Sequence, residues 1–196
     1  MLQAIADTQD PHTLRRLANH ASSLAAARND GKKHLLLAAS GSVAAIKLPE
    51  IARRLGRFAG QLSVRIVLTA HATRFLAGQS AEQPGLDALR ALPAVDAVYR
   101  DADEWTAPGW TRGADILHIE LRRWADVLVV APLSANMLAK LAQGLCDDLL
   151  SCVVRAWDTR GEIDGRRKRI VVAPAMNSAM WNRELSPLFC DVSLSA

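Results

Sequence analysis

Five short apolar runs recur along the chain, and stretches with helical spacing separate most of them. The runs are HLLLAAS (34–40), VRIVLTA (64–70), AVDAVYR (94–100), WADVLVVAPL (124–133) and RIVVAPAM (169–176). Each has the length and continuous apolar character of a strand that is buried on both faces. Strands of that kind form parallel sheets, whose crossover helices cover both faces. The sequence therefore predicts a doubly wound α/β fold with three layers, α/β/α.

The segments between the runs carry recognisable helix and loop signals. Apolar residues at helical spacing over 43–58 predict a helix, which we expect Pro49 to kink. SANMLAKLAQGL (134–145) predicts a helix that ends at Gly144, and DDLLSCVVRAWD (147–158) predicts another. The polar, turn-rich segment DADEWTAPGWTRGAD (101–115) predicts a surface loop.

The length of 196 residues suits one domain. We assign residues 1–32 to an N-terminal extension and 33–196 to the domain. Within the extension, the stretch from His12 to Arg28 predicts an amphipathic surface helix. A mitochondrial transit peptide is the alternative, although the acidic residues of this region count against it.

Charge and cysteine content limit the classes of function. The net charge is +4 and the pI about 9.3, but the basic residues form short scattered clusters such as RRKR (166–169). That pattern favours a solvated surface over a nucleic-acid site. Cys146, Cys152 and Cys190 lack metal-ligand or CxxC spacing, which indicates reduced thiols, no metal site and a cytoplasmic location. Every apolar stretch is shorter than the about 18 residues that a membrane span requires.

Ligands of doubly wound sheets bind outside the carboxyl ends of the strands. The turns at those ends are ASGSVA, TAHAT, APLSANM and APAMNSAM. Gly41, Ser42 and Val43 place free backbone N–H groups and a hydroxyl at a helix start, which suits a phosphate. An ordinary tight turn with a serine cap is the alternative interpretation.

Amide side chains follow prolines in two of these turns. Ser134 is explained by N-capping alone, whereas Asn136 and Asn177 suggest amides that converge on a polar, planar ligand. His118 stands at the head of HIELRRWAD. From the residues alone it is either a histidine that fills space in the core or a group that transfers a proton.

Four strings together resemble the flavin-dependent cysteine decarboxylases: GSVAAIK, HIELRRWAD, APLSANMLAKLAQGLCDDLL and PAMNSAMW. The resemblance extends from about His34 to Pro187. It implies a flavodoxin-like subunit that binds FMN and forms a trimer with each active site between two subunits. The residues implied to hold FMN are Gly41, Ser42, Val43, Thr69, Ala70, His71, Ser134, Ala135, Asn136, Met137 and Ala175. His71 differs from the small hydroxyl residues often found at its position.

The nearest branch of that family removes the carboxylate of 4′-phospho-N-pantothenoylcysteine and forms 4′-phosphopantetheine during coenzyme A biosynthesis. The resemblance implies that His118 takes or steers a substrate proton. It also implies that Asn177 holds the substrate carboxylate beside Met180. Arg122 and Arg123 are candidates to meet acidic groups of the substrate, or to form subunit contacts.

Other family branches remain alternatives. They are flavin prenyltransferases, peptidyl-cysteine decarboxylases and regulatory flavoproteins that inhibit a protein phosphatase, although the acidic tail of the regulatory type is absent from this sequence.

The resemblance stops after PLF, where the family continues into a flap whose cysteine protonates the enethiolate intermediate. We therefore expect one of two situations. Either the reaction on this chain stops after oxidative decarboxylation, or the chain donates His118 to a mixed trimer whose partner carries that cysteine. None of Cys146, Cys152 and Cys190 matches the flap motif.

Overall fold

The structure is a computed structural model that describes residues 21–81, 83–105 and 112–182. Its helices and strands, in chain order, are α1 (Ala21–Ala26), β1 (Lys33–Ala39), α2 (Leu48–Leu55), β2 (Leu62–Leu68), α3 (Ala70–Arg74), α4 (Leu86–Arg90), β3 (Val95–Arg100), α5 (Leu117–Trp124), β4 (Val127–Leu133), α6 (Ala135–Gln143), α7 (Leu149–Arg155), β5 (Arg169–Pro174) and α8 (Ser178–Trp181). Short 3-10 turns lie at Ala27–Asn29, Val43–Lys47, Gly56–Phe58 and Asp101–Asp103.

Each of the five apolar runs forms a strand, and all of the pairings are parallel. The strand order is β3-β2-β1-β4-β5. The predicted doubly wound, flavodoxin-like class of sheet is therefore confirmed. The order reverses between β1 and β4, and the turns after these two strands flank the crevice in which such folds bind ligands.

Alternate residues of the strands face two separate cores. Leu35 and Leu37 of β1 pack with residues of α2, α3 and α4. Leu36 and Ala38 pack with residues of α1, α5, α6 and α7. Because helices cover both faces, β1 and β2 are buried on both sides. The edge strand β5 is not buried on both faces as predicted, since its residues are exposed or half-buried. This arrangement confirms the three layers.

The end of the predicted N-terminal extension packs on one of these cores. Leu24 is 0% exposed and contacts the cluster that lies under α5 and α7. Arg28 forms an ion pair with Glu120, whose side chain is buried. The stretch from Leu24 to Arg28 is thus part of the domain's packing, whereas residues 1–20 lie outside the described part.

The segment that carries Pro49 is divided into three pieces, the last of them the 3-10 turn Gly56–Phe58, so the predicted single kinked helix over 43–58 is wrong. A 3-10 turn covers Val43–Lys47, and α2 then begins at Leu48 with Pro49 in its first turn. Backbone N–H groups of a first turn have no partner within the helix, so proline is tolerated there. Gly144 ends α6 as predicted, in the left-handed region with φ of 73°.

Within the described residues, no helix combines the length and the apolar character that crossing a bilayer requires.

Candidate functional site

The turns that follow β1 and β4 are held together by one buried hydroxyl. Ser40, which is 1% exposed, donates through Oγ to the carbonyl of Pro132 at 3.1 Å. The same Oγ accepts the N–H of Ser134 at 2.7 Å. A backbone bond of 3.0 Å from Ser40 to Pro132 completes the junction. Gly41 and the start of α6 therefore lie side by side at the switch point of the sheet.

Three helix or 3-10 starts along this edge are capped by hydroxyl side chains. Ser42, Thr69 and Ser134 each accept a backbone N–H two or three residues further on, at 3.4, 3.2 and 3.3 Å respectively. The N-cap interpretation of Ser134 is confirmed. Capping orders each turn and leaves the first backbone N–H groups of each segment at the edge of the sheet.

The turns after β1 and β2 touch at Gly41. A Cβ atom placed on Gly41 would lie 2.6 Å from Cβ of His71, which is closer than side-chain carbons approach in folded proteins. Glycine is therefore required at this position by packing. The approach joins Gly41 to the exposed first turn of α3, which contains Ala70 and His71.

The turn after β5 contacts the turn after β4. Ala175 donates its N–H to the carbonyl of Leu133 at 2.9 Å. Asn177 caps α8, because its Oδ1 accepts the N–H of Ala179 at 2.8 Å. Met180 is 48% exposed. We call turns 40–43, 69–71, 132–137 and 174–177 the carboxyl rim, and it contains all of the residues expected to hold FMN.

His118 is the second residue of α5, and a buried carboxylate holds it at two points. Its Nδ1 lies 2.6 Å from Oε1 of Glu104, and its backbone N–H donates to Oε2 at 3.2 Å. The side chain of Glu104 is 5% exposed and that of His118 is 21% exposed. The imidazole is thus not sealed in the core.

Glu104 was missed by the sequence interpretation, which assigned it to a surface loop. Fourteen residues separate the two partners. No periodic pattern marks such a contact, because it depends on how the chain after β3 folds back onto α5. The one signal in the sequence is an acidic residue in a loop that precedes an isolated histidine.

Asp101 connects the end of β3 to two neighbouring helices. Its carboxylate accepts the N–H of Ala70 at 3.0 Å and the N–H of Leu149 at 3.2 Å. Burial raises the pKa of the Asp101 carboxyl, and the two N–H donors oppose that effect. Since Glu104 follows three residues later, Asp101 fixes the start of the segment that leads to the His118–Glu104 pair.

The partner of His118 and the side chain of Asn177 follow opposite edge strands of the sheet. Glu104, the partner of His118, follows β3, whereas Asn177 follows β5. These strands are the two edges of the sheet, and four strand spacings separate them. At roughly 4.8 Å per spacing, the strand ends are about 19 Å apart.

The two arginines of HIELRRWAD have different environments. Arg122 is 4% exposed, and its Nη1 lies 3.5 Å from Oδ1 of Asp164. The expectation that Arg122 meets an acidic group of the substrate is therefore wrong. Arg123 is half-exposed and contacts Glu120 at 2.9 Å. The RRKR cluster is likewise not one solvated surface. Lys168 is buried, and its Nζ donates to the carbonyl of Arg122 at 2.7 Å.

Of the two described cysteines, Cys152 lies near the His118–Glu104 pair and holds its proton tightly. Cys152 donates to the carbonyl of Cys146 at 3.3 Å. Burial, with the nearby Cys146 and Glu104, raises the pKa of the Cys152 thiol to about 11. Cys146 is exposed on the linker between α6 and α7. Cys190 lies outside the described residues.

Comparison with known proteins identifies a family over most of the chain. The model of the Flavoprotein family matches residues 23–187. The chain is 47% identical over 152 residues to the phosphopantothenoylcysteine decarboxylase of Oryza sativa subsp. japonica. That match covers 77% of this chain and 59% of the relative, so the chain spans about three fifths of that protein's length.

Two solved structures resemble the fold at similar identity. One is a PPC decarboxylase mutant complexed with pantothenoylaminoethenethiol, with 43% identity, a TM-score of 0.69 and coverage of 84% of this chain and 78% of the other. The second is the FMN binding protein AtHal3, with 44% identity, a TM-score of 0.66 and coverage of 84% and 76%.

Proposed function

Because the chain belongs to the Flavoprotein family, we propose that it binds FMN at the carboxyl rim and decarboxylates 4′-phospho-N-pantothenoylcysteine. The products are CO2 and 4′-phosphopantetheine, which is an intermediate of coenzyme A biosynthesis. The similarity to phosphopantothenoylcysteine decarboxylases supports the substrate. The observation that carries the proposal is that the expected flavin residues form one rim while His118 stays accessible beside a buried carboxylate.

The residues of the rim suit a flavin nucleotide. Gly41 and Ala175 place small residues beside capped turns, and Val43 presents an apolar side chain that is 65% exposed. Backbone N–H groups at segment starts suit the phosphate and the polar edges of the ligand. The residues that would hold FMN are those of the predicted set: Gly41–Val43, Thr69–His71, Ser134–Met137 and Ala175. When bound, FMN supplies the redox chemistry that makes loss of CO2 from a cysteine feasible.

The chain's own groups would then align the substrate and move its protons. His118 takes or returns a proton, because a neutral imidazole has a nitrogen that accepts and a nitrogen that donates. Asn177 binds the carboxylate that is lost, and the exposed Met180 covers it from water. Asn177 lies on an exposed part of the rim after β5, and Met180 follows it in α8.

A complete site then requires two chains. Glu104, the partner of His118, follows one edge strand and Asn177 follows the other, so we place His118 of one chain beside Asn177 of another. Among the described residues, Val171 of β5 is 50% exposed and pairs with Val129 in the sheet, so this edge offers apolar surface for such a contact. We propose a trimer, as the resemblance to the flavin-dependent cysteine decarboxylases implies; head-to-tail contacts of this kind close into a ring when the rotation between subunits allows it.

The partner in that ring is a second copy or a paralogue with the flap cysteine. The free thiols of Cys146 and Cys152 suit the reducing cytoplasm, where we place the protein.

The test combines FMN binding with analysis of both products. We expect the protein to bind FMN and to release CO2 from 4′-phospho-N-pantothenoylcysteine. His118→Asn keeps FMN but lowers CO2 release by roughly 10²-fold or more, because a positioned acid or base contributes that much. Glu50→Gln is the control, since Glu50 lies on the exposed face of α2 and contacts Arg54.

Each other outcome has a distinct meaning. Absence of FMN uptake overturns the proposal, and normal CO2 release by His118→Asn overturns the role of the histidine. CO2 without 4′-phosphopantetheine assigns the final protonation to a partner chain. FMN binding without CO2 release favours the regulatory type of flavoprotein.

A further inference from the structure

His118 contacts both carboxylate oxygens of Glu104. Oε1 lies 2.6 Å from Nδ1 of His118, and Oε2 accepts the backbone N–H of His118 at 3.2 Å. Two contacts to the same residue restrict the rotation of the imidazole about its side-chain bonds. Since the carboxylate is 5% exposed, water does not readily replace either contact.

These contacts determine which nitrogen of His118 carries the proton. An ionised carboxylate only accepts hydrogen bonds, so the short contact to Oε1 requires a proton on Nδ1. The neutral ring then has its free electron pair on Nε2. A carboxylate behind an imidazole fixes its tautomer and orientation in this way at other proton-transfer and metal sites.

We propose that Glu104 is a positioning residue that holds His118 as the Nδ1–H tautomer and presents Nε2 to the substrate. The part that concerns the substrate rests on the proposed decarboxylase function, whereas the part that concerns the tautomer does not. Nε2 is then the atom that exchanges the substrate proton.

Glu104 also has a structural role that the test must separate from this one. The N-cap residue of α5, Ile116, has no side-chain cap of its own. Glu104 supplies an acceptor to the first turn of α5 from outside the helix. Loss of that cap alone lowers the free energy of unfolding but does not move the proton of the imidazole.

Glu104→Gln tests the proposal most directly, because it keeps the shape of the side chain and removes one hydrogen-bond acceptor. The amide has one acceptor oxygen for two donors, the backbone N–H and Nδ1–H. If the oxygen keeps the backbone N–H, the NH2 group faces Nδ1, and the proton must move to Nε2. Glu104→Asp is a second variant that keeps the charge. Glu162→Gln is the matched control, since the side chain of Glu162 is 71% exposed.

The primary readout is the tautomer of His118 in protein without FMN or substrate. Long-range ¹H–¹⁵N spectra of ¹⁵N-histidine protein distinguish the two tautomers, and His118→Asn assigns the signal among the five histidines. We expect the Nδ1–H form in the unaltered protein and in Glu162→Gln, and the Nε2–H form in Glu104→Gln. In the FMN-loaded enzyme, kcat of Glu104→Gln falls roughly 10²- to 10⁴-fold with little change in KM.

Two results would overturn the proposal. One is an Nε2–H tautomer in the unaltered protein. The other is a Glu104→Gln variant that keeps both the Nδ1–H form and full kcat while losing only thermal stability, which would make Glu104 a helix cap. If the variant is unfolded by circular dichroism, the same readouts are taken from Glu104→Asp. Failure of the unaltered protein to release CO2 refutes the proposed function but leaves the tautomer result readable.

Discussion

Replacing Gly41 by alanine would place a methyl group 2.6 Å from Cβ of His71 and 3.4 Å from its Cγ. Ordinary carbon contacts are near 3.5–4.0 Å, so the turn after β1 and the start of α3 must move apart by about 1 Å. Overpacking of this size lowers the free energy of unfolding by roughly 1–3 kcal/mol. The displaced segments are two of the four that form the carboxyl rim, so FMN affinity falls as well.

The same geometry predicts which second substitution restores stability. The third neighbour of the added methyl group is Cα of His71, at an ordinary 3.8 Å. Gly41→Ala is therefore tolerated in a His71→Gly background, which removes the clashing Cβ. It stays destabilising in a His71→Ala background, which keeps that Cβ. Gly60→Ala is the control, since no atom lies within 4 Å of a Cβ added to Gly60.

Urea unfolding of these variants measures the coupling between the two positions. We expect the penalty of Gly41→Ala to fall by at least about 1 kcal/mol in the His71→Gly background and to be unchanged in the His71→Ala background. The loss of FMN affinity caused by Gly41→Ala, measured by titration of the same proteins, should likewise be smaller in the His71→Gly background than in the His71→Ala background. Equal penalties in both backgrounds, or a Gly41→Ala protein as stable as the unaltered one, would refute the close approach.

Three further predictions concern other parts of the chain. Leu24→Ala should lower the free energy of unfolding in urea by about 2–5 kcal/mol, because Leu24 is 0% exposed; a change near zero would remove α1 from the core. Mass spectrometry should find iodoacetamide on Cys146 well before Cys152, because Cys146 is exposed and a thiol with a pKa of about 11, as in Cys152, is roughly 0.1% ionised at pH 8; equal rates would contradict the raised pKa of Cys152. Four backbone N–H donors, that of Asp164 foremost, lower the pKa of Asp158. Its stabilising contribution is present above the unfolded-state pKa and lost as pH falls through the lower folded-state value. The stability difference from Asp158→Asn should therefore shrink below about pH 3.8 in acid titrations, and a constant difference would contradict this linkage.

Much of the fold could be predicted because its signals are local. A strand buried on both faces needs a continuous apolar run, and each of the five runs is a strand. The turns of the rim were predicted for the same reason: small and hydroxyl residues end buried strands and cap the following segments. Gly144 ends α6 because a left-handed residue is a local requirement.

One failure is local, and the others depend on distant parts of the chain. Pro49 is compatible with both a kinked helix and a helix start. Because a 3-10 turn precedes α2, Pro49 lies in the first turn of that helix. Burial of Arg122 depends on the loop that carries Asp164, far along the sequence. The contact between His118 and Glu104 requires the segment after β3 to return to α5. Spacing alone contains no information about contacts of this kind.

The measurement that tests the two-chain site most directly is complementation between inactive variants. One tagged chain carries His118→Asn and a differently tagged chain carries Asn177→Ala, and oligomers with both tags are purified with FMN. In a mixed trimer, one contact in three pairs an intact Asn177 with an intact His118, so CO2 release should recover to about one third of the unaltered rate. If mixed oligomers form but remain inactive, both residues act within one chain, and the proposed site between subunits is wrong.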